Sequence, residues 1–427
     1  MEPEGAWQGE DHVSETVPTE RVDAAAVHST TQATFPPTRC PFGGQPEYER
    51  MREQGTISKV PTVDGGATWW ATNRADVTAI LVDPRFSSNR HDPRFPLLLP
   101  DPAVREQTRR QPPLMITMDG AEHAQARRAV IGEFTVKRLA VLRPRIQEIV
   151  DGFIDAMLAT EQRPVDLVTA LSLPVPSLVI CEMLGVPYAD HDFFQARSAK
   201  MLSRTSTAGE RQTAVTELRA YLDRLLTAKE TEPGDDLLSR QIEKQRAEGE
   251  LDHEEMIGLA LLLLVAGHET TANMISLGVV GLLNAPEQLA ALKADPTKIP
   301  MAVEELLRYF SIADPIPRLA TEDVEVGGVT IKAGEGVIAS GLAANFDPDA
   351  FTDAAELDVE RGTRAHVAFG YGPHQCLGQN LARQELEIVF ETLFRRIPQL
   401  TLATPIEDIP FKEHGGVHGI HRLPVAW

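Results

Sequence analysis

Cysteine is scarce in this sequence: Cys40, Cys181 and Cys376 are the only three in 427 residues. They are too few and too scattered for a disulfide framework, which points to a reducing compartment, the cytoplasm. Positive charge is also short, with 41 Lys and Arg against 62 Asp and Glu and a formal net charge of −21. That balance argues against nucleic acid as a partner and against adsorption to anionic lipid. The longest apolar run, around Leu259 to Ala266, is far short of a membrane span. The opening MEPEGAWQGED is acidic where a secretory signal would be basic, and no apolar core follows it. The expectation is a soluble cytoplasmic monomer that uses neither membrane nor nucleic acid.

Hydrophobic residues make up 42% of the chain, enough for a large core. Residues 1–34 are polar, acidic and without periodicity, and are expected to be a disordered tail. Residues 35–427 show no flexible linker, low-complexity block or repeat, and are expected to form a single domain. Strand signals are few: ISKVPTV, ATWWAT, VEVGGVTI, GVIASG and the C-terminal GIHRLPVAW. Helical periodicity covers most of the rest, as in LRPRIQEIVDGFIDAMLA, ELRAYLDRLLTAKE, AVEELLRYF and LARQELEIVFETLFRRI. The predicted fold class is mainly α with small peripheral β-sheets.

One predicted helix, over residues 251–283, contains no proline and is apolar nearly all round. At ~1.5 Å per residue it would run about 45–50 Å and cross the core. Its middle nevertheless carries Gly267, His268, Glu269, Thr270 and Thr271. A polar island inside a buried helix is costly unless something satisfies it. Either a local hydrogen-bonded kink or a site accounts for it.

Cys376 lies in FGYGPHQCLG, a glycine-bounded turn just before a predicted helix. Three readings compete: a buried inert thiol, a nucleophile paired with His374 or His366, and a metal ligand. Unpaired N–H groups and the positive end of a helix dipole favour thiolate over thiol. Gly372 and Gly378 let the backbone turn tightly and approach a flat partner. Phe369 is placed to shield the sulfur from water. One thiolate without further cysteine or histidine ligands suits an axial ligand to haem iron rather than a zinc or iron–sulfur site.

FGYGPHQCLG resembles the haem-ligand loop of the cytochromes P-450, the haem-thiolate monooxygenases. The pattern Phe-x-x-Gly-x-x-x-Cys-x-Gly is matched at Phe369, Gly372, Cys376 and Gly378. AGHETT (266–271) resembles the family's oxygen-activating segment, and EELLR contains its Glu-x-x-Arg pair at Glu305 and Arg308. LDVER supplies Arg361, which completes that ion-pair triad, and GAEHAQARR supplies a His-x-x-x-Arg arrangement at His123 and Arg127. The wording of IADPIPRLATEDVEVGGVTI is similar to soluble actinobacterial members that act in secondary metabolism and xenobiotic conversion.

The resemblance implies the cytochrome P-450 fold, with the long central helix over a haem b whose iron takes Cys376 as axial thiolate. His123, Arg127, Arg318 and His374 are implied partners of the haem propionates, and Ala266, Gly267, Phe369 and Gly378 line the cofactor. Gly267 is expected to leave room for dioxygen, Thr270 to bond back to Ala266 and open the helix, and Glu269 to relay protons. The implied reaction inserts one oxygen atom of dioxygen into a C–H bond, by hydroxylation or epoxidation. The triad of Glu305, Arg308 and Arg361 is expected to be structural, as are His268, His366, Cys40 and Cys181.

Leu262, Val265, Ala266, Ile312, Ile316 and Val417 are the candidate substrate pocket, with residues 90–100 and 203–209 at its entrance. These mostly apolar positions imply a medium-sized hydrophobic substrate. No reductase domain is attached, so a ferredoxin and its reductase are the implied electron donors. Their docking face is expected to be basic through Arg127, Arg128 and Arg383. Two rivals remain. A peroxide-driven peroxygenase is disfavoured by the acid–alcohol pair Glu269-Thr270, and a haem sensor or electron carrier would not need a bent helix bearing that pair.

Overall fold

Short polar side chains start many of the helices, each accepting a backbone N–H that would otherwise be unpaired. Asn73, Asp101, Thr135, Asp236, Asp252 and Ser340 cap helices this way, and Thr207 forms a reciprocal capping box with Glu210. The computed structural model describes Pro36 and residues 42–249, 251–412 and 416–427. The tail read over residues 1–34 and Cys40 lie outside the described residues. Residues Thr34–Trp427 form one compact unit.

The first half of the described chain carries α1 (Pro46–Gln54), α2 (Arg74–Val82), α3 (Pro102–Arg110), α4 (Gly120–Val130) and α5 (Val136–Ala159). It continues with α6 (Pro174–Leu184), α7 (His191–Leu202), α8 (Ala208–Thr231) and α9 (Leu237–Glu248). Then come α10 (His253–Leu283), α11 (Pro286–Ala294), α12 (Ile299–Phe310), α13 (Gly341–Asn345) and α14 (Gln379–Arg396). The mainly helical expectation therefore holds.

Helix α10 is the axis of the fold. It packs against α6, α8, α12 and α14, and every residue from Thr271 to Leu282 is buried. By length and composition it could cross a membrane, which the short apolar run alone did not suggest. Its neighbours cover it instead, and its buried side chains belong to the main hydrophobic cluster.

The strands are short and lie to the side. A five-stranded sheet has the order β1 (Ile57–Pro61), β2 (Ala67–Ala71), β8 (Gly336–Ala339), β5 (Ile316–Ala320) and β3 (Phe86–Ser87). Only its β2–β8 pair is parallel. Strands β6 (Val324–Val326) and β7 (Val329–Ile331) form a hairpin through Gly327 and Gly328, both at positive φ. Strand β10 (Pro424–Ala426) joins β4 (Val165–Asp166) to β9 (Thr401–Leu402). Strand β5 was not expected, because Pro317 interrupts its pattern. Proline fits there because β3 pairs only with Leu319 and Ala320, so no ladder bond on that side is lost at Pro317.

Candidate active site

The cysteine turn closes on itself before α14 begins. The Cys376 N–H donates to the Phe369 carbonyl at 2.8 Å, and the Gly370 N–H to Val367 at 2.9 Å. Gly372 has a φ of 71°, and a Cβ there would stand 2.7 Å from the Leu81 carbonyl oxygen, so only glycine fits against α2. Gly378 is different: its φ of −84° is ordinary, and nothing lies within 4 Å of where a Cβ would stand. The turn therefore requires Gly372, whereas Gly378 faces open space.

Cys376 keeps open surface, yet burial is the largest influence on its thiol and pushes the pKa up. The Gly378 N–H, Arg127 and Arg383 pull it back without winning. Helix-start N–H groups and two nearby guanidinium groups thus do not by themselves offset the burial of the thiol. Open surface on a deeply enclosed atom marks the wall of an internal void. Cys181, by contrast, is plain core on α6, its thiol pushed up to about 12 by burial.

Around that wall stands a set of arginine and imidazole donors with no carboxylate in hydrogen-bond reach among the described residues. His123 on α4 stacks on His374 at 3.9 Å between ring centroids. Ser88 Oγ is 3.2 Å from His374 Nε2. Arg127, one turn after His123, donates to the Gln375 carbonyl at 2.5 Å. Arg318, on β5 and only 7% exposed, donates among the described residues only to the adjacent Pro317 carbonyl, at 2.8 Å. Burial lowers the pKa of all four, with mutual repulsion adding at the histidines: His374 falls to about 3 and Arg318 to about 10. The nearby Asp119 is already engaged by Ser87 Oγ and the Ser88 N–H.

Arg90 joins this set, although sequence reasoning placed it in an entrance loop. Burial lowers its pKa, it acts electrostatically on Arg318, and it has no hydrogen-bond or ion-pair partner among the described residues. Its neighbours Asn-Arg-His-Asp in sequence carry no periodicity that could have singled it out.

On α10, Thr270 Oγ1 donates to the Ala266 carbonyl at 2.7 Å, as expected, and Ala266 is exposed between half-buried Val265 and Gly267. Gly267 departs from expectation. A Cβ there would meet Ile180 Cγ1 of α6 at 2.8 Å, so this glycine admits a neighbouring helix and does not make room for dioxygen. The reason is helical geometry, which turns position 267 ~100° away from 266. His268 is fully buried, its Nδ1–H donates to the Leu264 carbonyl at 2.7 Å, and its ring packs edge-on to Phe194. Packing is its role.

Glu269 is buried and paired with Lys412. Burial pushes its carboxyl up, but the Lys412 ammonium, with help from His268 and Asn273, brings the net pKa below the ordinary carboxylate value. Lys412 is a second residue the sequence did not reveal, since the pair spans 143 positions. Its side chain, 19% exposed, links Glu269 towards solvent.

The expected pocket positions Leu262, Val265, Ile312, Ile316 and Val417 are all half-buried. Ile312 and the segment after Val417 are tied by the His418 N–H donating to the Ile312 carbonyl at 2.9 Å, and Ile316 reaches the cysteine loop beside Gly370. Outside the cavity, Arg308 grips both oxygens of Glu305 at 2.8 Å, and Arg361 Nε reaches Glu305 at 3.1 Å. Arg308 also donates to the carbonyls of Asn345, Ala354 and Glu356, so this triad is architectural. Arg383, expected on a basic docking face, is instead bound to Glu304 and only 12% exposed, because a buried carboxylate captures it. Arg128 is exposed.

A model of the family described as Cytochrome P450 matches residues 206–419. The chain is similar to a pentalenic acid synthase of Streptomyces avermitilis, 50% identical over 92% of this chain and 97% of that protein. It is similar to a vitamin D3 dihydroxylase of Streptomyces griseolus, 47% identical over 95% of this chain and all of the relative. Among solved structures, the cytochrome P450 MoxA of Nonomuraea recticatena superposes with a TM-score of 0.87 at 66% identity, covering 92% of this chain and 98% of that one. The mycinamicin VIII C21 methyl hydroxylase MycCI of Micromonospora griseorubida, bound to mycinamicin VIII, gives 0.87 at 41% identity, over 92% and 100%.

Proposed function

The chain belongs to the cytochrome P450 family and is a haem-thiolate monooxygenase, and from that premise we propose that it hydroxylates or epoxidises a medium-sized hydrophobic small molecule. The observation that carries this reading is the internal wall itself. Cys376 and Ala266 keep open surface deep in the chain, beside buried arginines and neutral imidazoles that no carboxylate hydrogen-bonds among the described residues. A planar iron cofactor with two carboxylates fits that donor set. Cys376 would bind its iron, and His123, Arg127, Arg318, His374 and Arg90 its carboxylates. Phe369 would shield the sulfur, and Gly378 would leave space for the ring. Bound haem supplies the reduction of dioxygen and the transfer of one oxygen atom to the substrate.

The chain's own residues bind, orient and deliver protons. Thr270 spends its hydroxyl proton on Ala266 O, which leaves its lone pairs free to accept from a water in the cavity. Glu269 and Lys412 carry protons from the solvent side to that water. Leu262, Val265, Ala266, Ile312, Ile316 and Val417 hold the substrate and exclude bulk water. The relatives named as a vitamin D3 dihydroxylase and a C21 methyl hydroxylase support C–H oxidation as the outcome. A ferredoxin and its reductase supply electrons, and the enzyme acts as a monomer in the cytoplasm.

Thr270→Ala tests the reading. The variant should load haem, bind substrate and consume reduced nicotinamide at a rate within a few-fold of wild type, while most electrons leave as hydrogen peroxide. Peroxide and product counted per nicotinamide oxidised give the answer. Wild-type coupling in the variant would remove Thr270 from the mechanism, and efficient product formation from peroxide alone would favour a peroxygenase.

A further inference from the structure

Two adjacent carboxylates on α12 have different clients. Glu305 serves Arg308 and Arg361, as described. Glu304, only 4% exposed, faces the cysteine loop and α14. It accepts from Arg383 Nε at 2.7 Å and from Arg383 Nη2 at 3.0 Å. It also accepts from His366 Nε2 at 2.9 Å, while His366 Nδ1 accepts the Ala368 N–H at 3.3 Å. Arg364 approaches from solvent at 3.0 Å, its side chain 71% exposed. Burial pushes the Glu304 carboxyl up, but His366 and Arg383 outweigh it and hold it at about 2. Glu304 is therefore an anion at neutral pH.

The held arginine is aimed. Arg383 lies 4.6 Å above the centre of the Phe369 ring, and the His366 ring flanks the same phenyl group at 6.3 Å. Phe369 in turn accepts the Cys376 N–H through its carbonyl at 2.8 Å. A continuous path runs from Glu304 through Arg383 and Phe369 to the backbone of Cys376, and Arg383 also acts electrostatically on the thiol.

We propose that Glu304 is a positioning residue that fixes Arg383 against Phe369 and thereby sets the reduction potential of the haem at Cys376. The inference rests on Cys376 as the iron ligand. Its physics is the sign of nearby charge. A cation close to the thiolate in a poorly screened site favours the reduced centre, which carries one more electron, and Glu304 partly cancels that cation.

The test is a potentiometric titration of three holoenzymes, Glu304→Gln, Arg383→Gln and the double variant. Glu304→Gln leaves Arg383 uncompensated, so its midpoint should move positive of wild type. Arg383→Gln leaves Glu304 uncompensated, so its midpoint should move negative, with the double variant in between. A purely structural loss of packing would move both single variants the same way. Shifts of like sign, or no shift in either, overturn the proposal. Should Glu304→Gln fail to load haem, Arg383→Lys against Arg383→Gln carries the test. Lysine keeps the charge and should stay nearer wild type, and a lysine variant as negative as the glutamine one overturns the proposal equally. The wild-type reduced carbon monoxide spectrum reports the ligand assignment separately, so failure there is distinguishable from failure here.

Discussion

Arg308 and Arg318 are both buried arginines, and they could hardly be treated more differently by the fold. Arg308 is fully enclosed and has an acceptor for every direction its guanidinium points: two oxygens of Glu305 and three backbone carbonyls. Arg318 has the carbonyl of its own neighbour, and around it His123, His374 and Arg90 are cations or potential cations as well. A completed network is architecture, since burying a charge is tolerable once it is paired. An incomplete one, kept at the same depth, is a receptor for an acid that arrives with a ligand. The contrast separates what holds the chain together from what the chain holds.

The largest effect should come from breaking the complete network. Glu305→Gln strands Arg308 as an uncompensated buried charge, for which about 3–5 kcal/mol of destabilisation is typical. Chemical denaturation should show a stability loss of that size, or expression should yield no folded holoenzyme. A variant with wild-type stability would dissolve the distinction drawn above.

A smaller and selective effect is expected at Arg318. Arg318→Ala should leave the cofactor-free protein as stable as wild type or more so, because an unpaired buried cation has been removed. Haem binding should weaken roughly ten- to hundredfold, the equivalent of one lost charge-assisted hydrogen bond. Haem transfer to an excess of apo-globin measures it, and equal losses of fold and haem would put Arg318 in the same class as Arg308.

The smallest effect is in pH. The His374 pKa in the folded chain, about 3, lies below its ordinary 6.5, so the folded state takes up that proton less readily than the unfolded one. Its contribution to stability is therefore full above pH 6.5 and is lost as pH falls towards 3, at no more than about 1.4 kcal/mol per pH unit. His123 and His268, also lowered, act with the same sign. Glu304, lowered from 4.5 to about 2, is silent until pH drops below about 4.5. Between pH 6.5 and 4.5 the lowered histidines should thus cost the cofactor-free protein stability, opposed by Glu385, whose buried carboxyl is raised well above its ordinary value, and His374→Asn should reduce the histidine loss. Denaturation curves across the window check it.

Much of this arrangement was legible in the sequence, and the omissions share a cause. Helices announced themselves by periodicity, and the cysteine turn and Glu-x-x-Arg pair by local spacing. Lys412 and the partners of Glu304 did not, because such pairs are made by the fold between positions far apart and leave no local pattern. Arg383 was visible as a charge but not as an engaged one. Strand β5 was hidden by Pro317, whose cost depends on a pairing register that only the folded sheet defines. Gly267 was recognised as important and given the wrong neighbour, since a sequence shows that a side chain is missing but not which side of the helix needs the space.

That last glycine has a practical consequence for reshaping the enzyme. Consecutive positions on α10 look out on different rooms: Ala266 borders the cavity, whereas Gly267 is filled from behind by Ile180. A library aimed at changing which molecules are accepted can enlarge residue 266 and read the result as altered selectivity. The same added methyl at 267 would wedge two core helices apart, and any change in product it caused would report a damaged scaffold rather than a redesigned pocket.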